Sequence, residues 1–158
     1  MSKISVLIVD DHAIVREGLR ELLQMQDQLR IVGEAVDGVD AVGKAMDLKP
    51  DVVLMDIAMP GSSGLQACRE IKRLKPEVKI LILTMHDGDE YFLEIFSVGA
   101  SGYFVKGGSS RELVQAIQAV WRGEFFLHPT MTSRLLNEYQ KRATGDEAKE
   151  NEGGLTAR

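Results

Sequence analysis

The sequence contains little cysteine, proline or aromatic residue, and it has no long apolar run. Its 158 residues include one cysteine, four prolines and 6% aromatic side chains. The lone Cys68 excludes an internal disulfide framework and a cysteine-rich metal site, and it fits a reducing cytoplasm. The longest apolar runs are four to six residues, so we expect no membrane-spanning segment. The amino terminus carries no signal-peptide pattern.

Positive charge is also scarce. The chain has 24 Asp and Glu against 19 Lys and Arg, a net charge of -5 and a pI of about 5.2. A nucleic-acid-binding domain normally carries a basic patch, and a single-strand platform needs aromatic side chains for stacking. The composition therefore argues against direct nucleic-acid binding by this chain.

The sequence does contain a regular alternation of two patterns. Short apolar runs, typical of strands buried on both faces of a parallel sheet, occur at Ile4–Val9, Val52–Met55 and Ile80–Leu83, with weaker candidates at Leu29–Val32 and Tyr103–Val105. Segments with apolar residues three and four apart, typical of helices, follow each run. Five such β–α units predict an α/β fold, a doubly wound parallel sheet with helices on both faces. The pattern alone does not determine the order of the strands.

The composition changes near residue 124, which suggests three parts. Residues 1–123 hold the five units and form the expected domain. Residues 124–142 are expected to form a carboxy-terminal extension, with a short apolar hook around Phe125–Leu127 that folds back on the domain and an amphipathic helix after it. Residues 143–158 are rich in Gly, Glu, Asp and Asn and are expected to be a flexible linker.

Polar side chains follow four of the predicted strands. Asp10 and Asp11 follow the first, Asp56 the third, Thr84 the fourth and Lys106 the fifth. Because ligands of open α/β sheets bind outside the carboxyl ends of the strands, we expect these side chains to converge on one crevice. The alternative is that each does local work as a turn or cap residue, as Asp11 could at the start of the first helix.

The converging set predicts a particular chemistry. Crowded carboxylates raise the pKa of at least one member unless a cation lies among them. Mg²⁺ suits such a site because it binds one or two carboxylates and completes its shell with water and phosphate oxygens. A carboxylate beside a cation, a hydroxyl and a lysine can accept a phosphoryl group, since that transfer needs mainly positioning and charge neutralisation.

The same residues carry a family resemblance. Val-Asp-Asp-His at 9–12, Met-Asp-Ile-Ala-Met-Pro-Gly at 55–61, Leu-Thr-Met-His at 83–86 and Gly-Ala-Ser-Gly-Tyr-Phe-Val-Lys at 99–106 resemble bacterial response-regulator receiver domains. The likeness runs from about residue 4 to residue 123. It implies a flavodoxin-like fold with strand order 2-1-3-4-5.

The resemblance implies a metal site and a phosphoryl acceptor. Asp56 matches the phosphoacceptor. The resemblance therefore implies a phosphoacceptor that catalyses its own phosphoryl transfer and slow autodephosphorylation, and not a turnover enzyme. Asp10 and Asp11 match the acidic pair around Mg²⁺, with Asp11 the direct ligand. Asp56 and the backbone carbonyl of Ala58 complete the protein ligands. The implied partner is a sensor histidine kinase, in the cytoplasm.

The resemblance also implies a switch. Thr84 matches the hydroxyl that follows the phosphoryl group, Lys106 the lysine that pairs with a phosphoryl oxygen, and Tyr103 the aromatic side chain that changes rotamer. Without the family match, the favoured interpretation of Tyr103 is a half-buried strand aromatic with no switching role. The chain departs from many relatives at Gly107 and Gly108, which add backbone freedom after the lysine.

The carboxy-terminal segments resemble the LuxR-type (NarL/FixJ) branch. The stretch 102–129 and the final Leu-Thr-Ala-Arg are typical of that branch, in which Leu-Thr-x-Arg opens a helix-turn-helix domain. We therefore expect a truncated transcription regulator that contacts DNA only through a missing domain. The strongly apolar stretch 91–98 suggests a homodimer surface on phosphorylation, although a deeply packed helix explains it equally well.

Two other classes remain as alternatives. A Mg²⁺-dependent phosphatase of similar topology normally has a second Asp two residues after its aspartyl nucleophile, and Ala58 stands there. A nucleotide- or flavin-binding module normally has a glycine-rich loop after the first strand, where this chain has Asp10 and Asp11. Both features disfavour these alternatives.

Overall fold

The computed structural model describes residues 3–57, 59, 63–84, 97–105, 108–127, 136–137 and 139–141. The chain divides into two compact units, residues 1–127 and residues 128–158. In the second unit, residues 136–137 and 139–141 are helical. The rest of the predicted extension helix, the linker and the apolar stretch 91–96 lie outside the described residues.

The first unit is an α/β sheet structure. Its described strands are β1 (Ile4–Val9), β2 (Leu29–Ala35), β3 (Val52–Asp56), β4 (Lys79–Thr84), β5 (Gly102–Val105) and β6 (Phe126–Leu127), and its described helices are α1 (Ala13–Gln24), α2 (Gly38–Leu48), α3 (Ser63–Leu74) and α4 (Ser110–Trp121). All neighbouring strands pair in parallel, in the order β2-β1-β3-β4-β5-β6. The predicted fold class and the order of the first five strands are confirmed. No helix in the described part of the chain is both long and apolar enough to cross a bilayer.

The central strands are buried along their whole length. Every residue of β1 and β3 is buried, as expected for strands covered on both faces. On one face, alternate side chains of β1, β3, β4 and β5 pack with buried residues of α1 and α4, including Leu23 and Ile117. This continuous core holds the carboxyl ends of β1, β3 and β4 in fixed positions.

The apolar hook folds back on the sheet as a sixth strand. Gly102 pairs with Phe126 and Tyr103 with Leu127, and the Phe126 amide donates to the carbonyl of Ser101 at 3.1 Å. The Phe126 ring also packs against Phe104, with ring centroids 6.0 Å apart. The hook thereby covers the backbone edge that β5 would otherwise expose.

Asp51 makes local hydrogen bonds at the start of β3. Its carboxylate accepts from the Ser5 amide at 2.9 Å, and its own amide donates to the Ser5 hydroxyl at 2.8 Å. These reciprocal bonds join the start of β1 to the turn before β3, at the amino ends of the strands. Asp51 therefore lies at the opposite end of the sheet from the predicted site.

The free thiol of Cys68 should be unreactive in the folded protein. The side chain is fully buried in α3. This burial raises the pKa of the thiol from 9.0 to about 12, and the positive charges of Lys72 and Arg69 offset only a smaller part of the shift. We expect a disulfide reagent to modify Cys68 only after denaturant is added. Rapid native-state labelling at pH 8 would contradict this placement.

The same shift affects stability at high pH. The folded protein keeps the Cys68 proton between pH 9 and pH 12, whereas the unfolded chain loses it. This thiol therefore lowers the free energy of unfolding as pH rises through that range.

Candidate functional site

Three nearly inaccessible polar side chains lie at the carboxyl ends of neighbouring strands. Asp10 follows β1, while Asp56 and Thr84 are the last residues of β3 and β4. Val9 is level with Met55 and Asp56 with Leu83, so the three side chains emerge at one edge of the sheet. Their exposed fractions are 0%, 1% and 2%. Buried polar groups are uncommon without a stabilising or functional reason.

The acidic residues form one cluster. Asp10, Asp11, His12 and Asp56 each offer a ligand atom, and these four atoms all lie within 4.8 Å of one another. Three carboxylate oxygens at such separations suit a hard divalent cation, for which oxygen is the preferred ligand. The donor set therefore fits Mg²⁺. Two predicted members of the site, Ala58 and Lys106, lie outside the described residues.

The turn between β1 and α1 positions Asp10. Its amide donates to the carbonyl of Ala35 at 3.1 Å, and its carboxylate accepts from the His12 amide at 2.8 Å. Arg16, one turn into α1, donates to the Asp10 carbonyl at 2.6 Å. The backbone around Asp10 is thus held by β2, by the turn and by α1.

Asp11 is not the cap of the first helix. The N-cap residue of α1 is His12, which makes no side-chain capping bond. Local capping therefore does not explain the presence of Asp11. Its carboxylate lies instead 3.0 Å from Nδ1 of His12, inside the acidic cluster.

Two residues near the site were not predicted from the sequence. Arg16 also pairs with Glu34 of β2, with 3.2 Å between Nε and Oε1, and Arg20 donates to the other oxygen of the same carboxylate. The Glu34 hydrogen bond raises the pKa of Arg20. His12 contacts both Asp10 and Asp11. The only sequence signal for His12 and Arg16 is that both follow the strand-end carboxylates within a few residues.

Thr84 and Tyr103 share one face of the sheet. Thr84 pairs with Val105 and Ile82 with Tyr103, and side chains alternate between faces along a strand. Tyr103 is fully buried rather than half-buried. Its strand also pairs with β6 through Leu127. Tyr103 therefore lies between the strand that ends in Thr84 and the start of the carboxy-terminal extension.

The start of α3 lies unusually close to the end of β3. A Cβ atom added to Gly64 would stand 2.8 Å from the backbone oxygen of Asp56 and 3.3 Å from Cα of Ile57. Side chains do not fit at such distances. The absence of a side chain at Gly64 therefore lets the helix approach the backbone of Asp56.

Comparison with known proteins gives a consistent set of relatives. Residues 6–118, more than half of the chain, match the family described as "Response regulator receiver domain". Over 144 residues the chain is 43% identical to the oxygen regulatory protein NreC of Staphylococcus carnosus, and the aligned region covers 90% of this chain and 66% of that protein. Over 154 residues it is 37% identical to the transcriptional regulatory protein DegU of Brevibacillus brevis, covering 98% of this chain and 65% of that protein.

Solved structures agree with these relatives. A two-component response regulator of the LuxR family from Aurantimonas sp. superposes with a TM-score of 0.81 at 38% identity, covering 87% of this chain and 99% of the other. The isolated receiver domain of RcsB from Salmonella enterica, solved with the phosphomimetic BeF3-, gives a TM-score of 0.74 at 29% identity and covers 85% of this chain and 99% of the other.

The matches also show what share of each relative's length this chain spans. The chain spans about two thirds of the length of the curated relatives named above. Fold and sequence both agree over the part that aligns. The chain belongs to the response regulator receiver domain family, with LuxR-type regulators among its relatives.

Proposed function

We propose that this chain accepts a phosphoryl group on Asp56 from a phosphohistidine of a sensor histidine kinase. The observation that carries the proposal is the convergence of buried Asp56 with Asp10 and Asp11 at adjacent strand ends. In the transfer, a carboxylate oxygen of Asp56 forms a bond to phosphorus and the phosphorus–nitrogen bond breaks. Its electron pair returns to the imidazole of the kinase, and Asp56 becomes an acyl phosphate.

Mg²⁺ is the cation that we propose for this site. Asp10, Asp11 and Asp56 would hold it, with the backbone carbonyl of Ala58 as a further ligand. The bound cation supplies neutralisation of the charge on the transferring phosphoryl oxygens. The protein contributes the rigid spacing of the carboxylates, because Asp10 is fixed by hydrogen bonds from His12 and Arg16.

We propose that the phosphorylated state is read by Thr84, Lys106 and Tyr103. A phosphoryl group carries close to two negative charges and three acceptor oxygens, to which a hydroxyl and an ammonium group can donate. Thr84 is the last residue of β4, and β5, which carries Tyr103, pairs with β4. A displacement of Thr84 toward the phosphoryl group would therefore act directly on the strand beside it.

The output is proposed to be control of transcription. DegU is named a transcriptional regulatory protein, and a structure of another relative holds two RcsB dimers bound to two DNAs. By analogy, a helix-turn-helix domain of the whole protein would contact DNA, and phosphorylation would favour a homodimer. The free, buried Cys68 is compatible with the reducing cytoplasm in which we place this activity.

Phosphorylation by a small donor tests the proposed role of Asp56. Incubation with acetyl phosphate and Mg²⁺ should add one phosphate to the intact protein, as measured by mass spectrometry. The Asp56→Asn variant should gain none, because an amide is too weak a nucleophile to form the acyl phosphate.

A matched control uses an aspartate far from the cluster. Asp47 is exposed on α2, and Asp47→Asn should be labelled like the unmodified protein. Labelling that persists in Asp56→Asn would disprove the assignment. Steady turnover of phosphomonoesters would instead favour an enzyme over a phosphoacceptor.

A further inference from the structure

His12 adds a nitrogen donor to the acidic cluster. We propose that Asp10, Asp11 and His12 together bind borderline first-row divalent cations, such as Zn²⁺ and Ni²⁺, in competition with Mg²⁺. This inference rests on the proposed function, because it assigns a second class of cation to the same metal site. His12 is then the residue that determines which cations the site accepts.

The positions of the donor atoms carry this inference. Nδ1 of His12 lies 3.0 Å from Oδ1 of Asp10 and 3.0 Å from Oδ1 of Asp11. Zinc bonds of about 2.0–2.2 Å place two ligands of a tetrahedral site about 3.4 Å apart. The His12 nitrogen therefore needs to move only a few tenths of an ångström away from each carboxylate oxygen to share an ion with it, and the donor atoms of Asp10 and Asp11 lie within 4.8 Å of one another.

The local structure allows this small adjustment. The carbonyl of His12 accepts the first helical bond of α1, from the Arg16 amide at 3.0 Å, and the His12 amide donates to Asp10 at 2.8 Å. The backbone is thus fixed, whereas 63% of the His12 side chain is exposed to solvent. The ring can rotate toward an ion without disturbing the core.

Ligand chemistry then separates two classes of cation. Mg²⁺ prefers oxygen ligands and retains several waters, so an imidazole nitrogen adds little to its binding. Zn²⁺, Ni²⁺ and Cu²⁺ all bind imidazole well, and the affinity of a given site rises from Ni²⁺ to Cu²⁺ and falls again at Zn²⁺. His12 should therefore strengthen the binding of these ions and leave the binding of Mg²⁺ nearly unchanged.

Calorimetric titration of the full chain with Zn²⁺ and separately with Mg²⁺ tests the proposal. In His12→Asn the Zn²⁺ affinity should fall about 10- to 100-fold, the loss that even a supporting group of a metal site typically causes. The Mg²⁺ affinity should change much less. Asparagine is a favoured N-cap residue, so the variant keeps a good start for α1. Addition of Zn²⁺ should also shift the ¹⁵N resonances of the His12 ring, and addition of Mg²⁺ should not.

Control variants separate failure of this inference from failure of the proposed function. Asp47→Asn removes an exposed carboxylate of α2 and should leave Zn²⁺ affinity unchanged. Asp11→Asn should weaken the binding of both Zn²⁺ and Mg²⁺. If His12→Asn retains full Zn²⁺ affinity while Asp11→Asn loses both ions, the role of His12 is overturned and the Mg²⁺ site stands. If Asp11→Asn changes the affinity for neither ion, the role of His12 and the proposed Mg²⁺ site are both overturned.

Discussion

Replacing Gly64 with alanine should lower the free energy of unfolding by about 1–3 kcal/mol, the usual effect of overpacking, and should slow phosphorylation of Asp56. The new Cβ would stand 2.8 Å from the backbone oxygen of Asp56 and 3.3 Å from Cα of Ile57. Both contacts are with backbone atoms, which cannot rotate away as the end of a side chain can. Relief of the clash requires either α3 or the end of β3 to move, and the second movement displaces the acceptor carboxylate.

A second helical glycine provides the matched control. Gly43 lies in α2 with no atom within 4 Å of its would-be Cβ. Because glycine within a helix is less stable than alanine by roughly 0.5–1 kcal/mol, Gly43→Ala should stabilise the protein. Urea denaturation followed by circular dichroism measures both variants, and acetyl phosphate labelling measures the rate. Equal gains in stability from the two substitutions would show that the close approach at Gly64 does not constrain the site.

Replacing Gly102 with alanine should detach β6 from the sheet or displace it. The added Cβ would stand 2.8 Å from the backbone oxygen of Phe126, 2.9 Å from Cδ1 of Leu81 and 3.0 Å from Cβ of Phe126. Two of these atoms belong to the strand that must lie against Gly102 for the pair to form. We expect a loss of about 1–3 kcal/mol, again on the scale of overpacking. The loss should be concentrated at the β5–β6 edge.

Amide hydrogen exchange at Phe126 measures this effect directly, because this amide donates to Ser101 across the strand pair. In Gly102→Ala it should exchange much faster, while amides of the central strand β3 remain protected. Gly33→Ala in β2 is the control, since its Cβ would meet only the side-chain ends of Leu48 at 2.7 Å and Leu7 at 3.5 Å. Unchanged protection of Phe126 in Gly102→Ala would contradict the pairing.

The central strands and the location of the acidic cluster could be predicted from the sequence alone. Nearly all-apolar runs rich in β-branched residues, such as Ile4–Val9, have few folded environments other than the middle of a parallel sheet. Once those runs are strands, Asp10 and Asp56 must lie at the same edge of the sheet. The order of the strands came from the family resemblance, because the runs do not indicate which strand lies beside which.

The extent of β2 could not be predicted, because glycine usually interrupts a strand. The sequence indicated a strand ending at Val32, yet β2 continues to Ala35. Val6 pairs with Ile31 and Leu7 with Gly33, so the register shifts by one residue on β2. This irregularity accommodates an extra residue and lets the strand continue. It brings the Ala35 carbonyl to the Asp10 amide.

The roles of His12 and Arg16 depend on the three-dimensional path of the chain. Both follow Asp11 closely in sequence, but their contacts arise because the chain turns sharply from β1 into α1. That turn brings the His12 ring to both carboxylates and the Arg16 guanidinium to the carbonyl of Asp10. Periodicity and strand-end position predict neither contact, since both depend on side-chain conformations.

The central claim is that Asp56 carries the phosphoryl group, and chemical trapping tests it most directly. Borohydride reduces an acyl phosphate at an aspartate to homoserine, and peptide sequencing by mass spectrometry then locates the changed residue. After treatment with acetyl phosphate and Mg²⁺, we expect homoserine at position 56 alone. Homoserine at position 10 or 11, with Asp56 unchanged, would contradict the account.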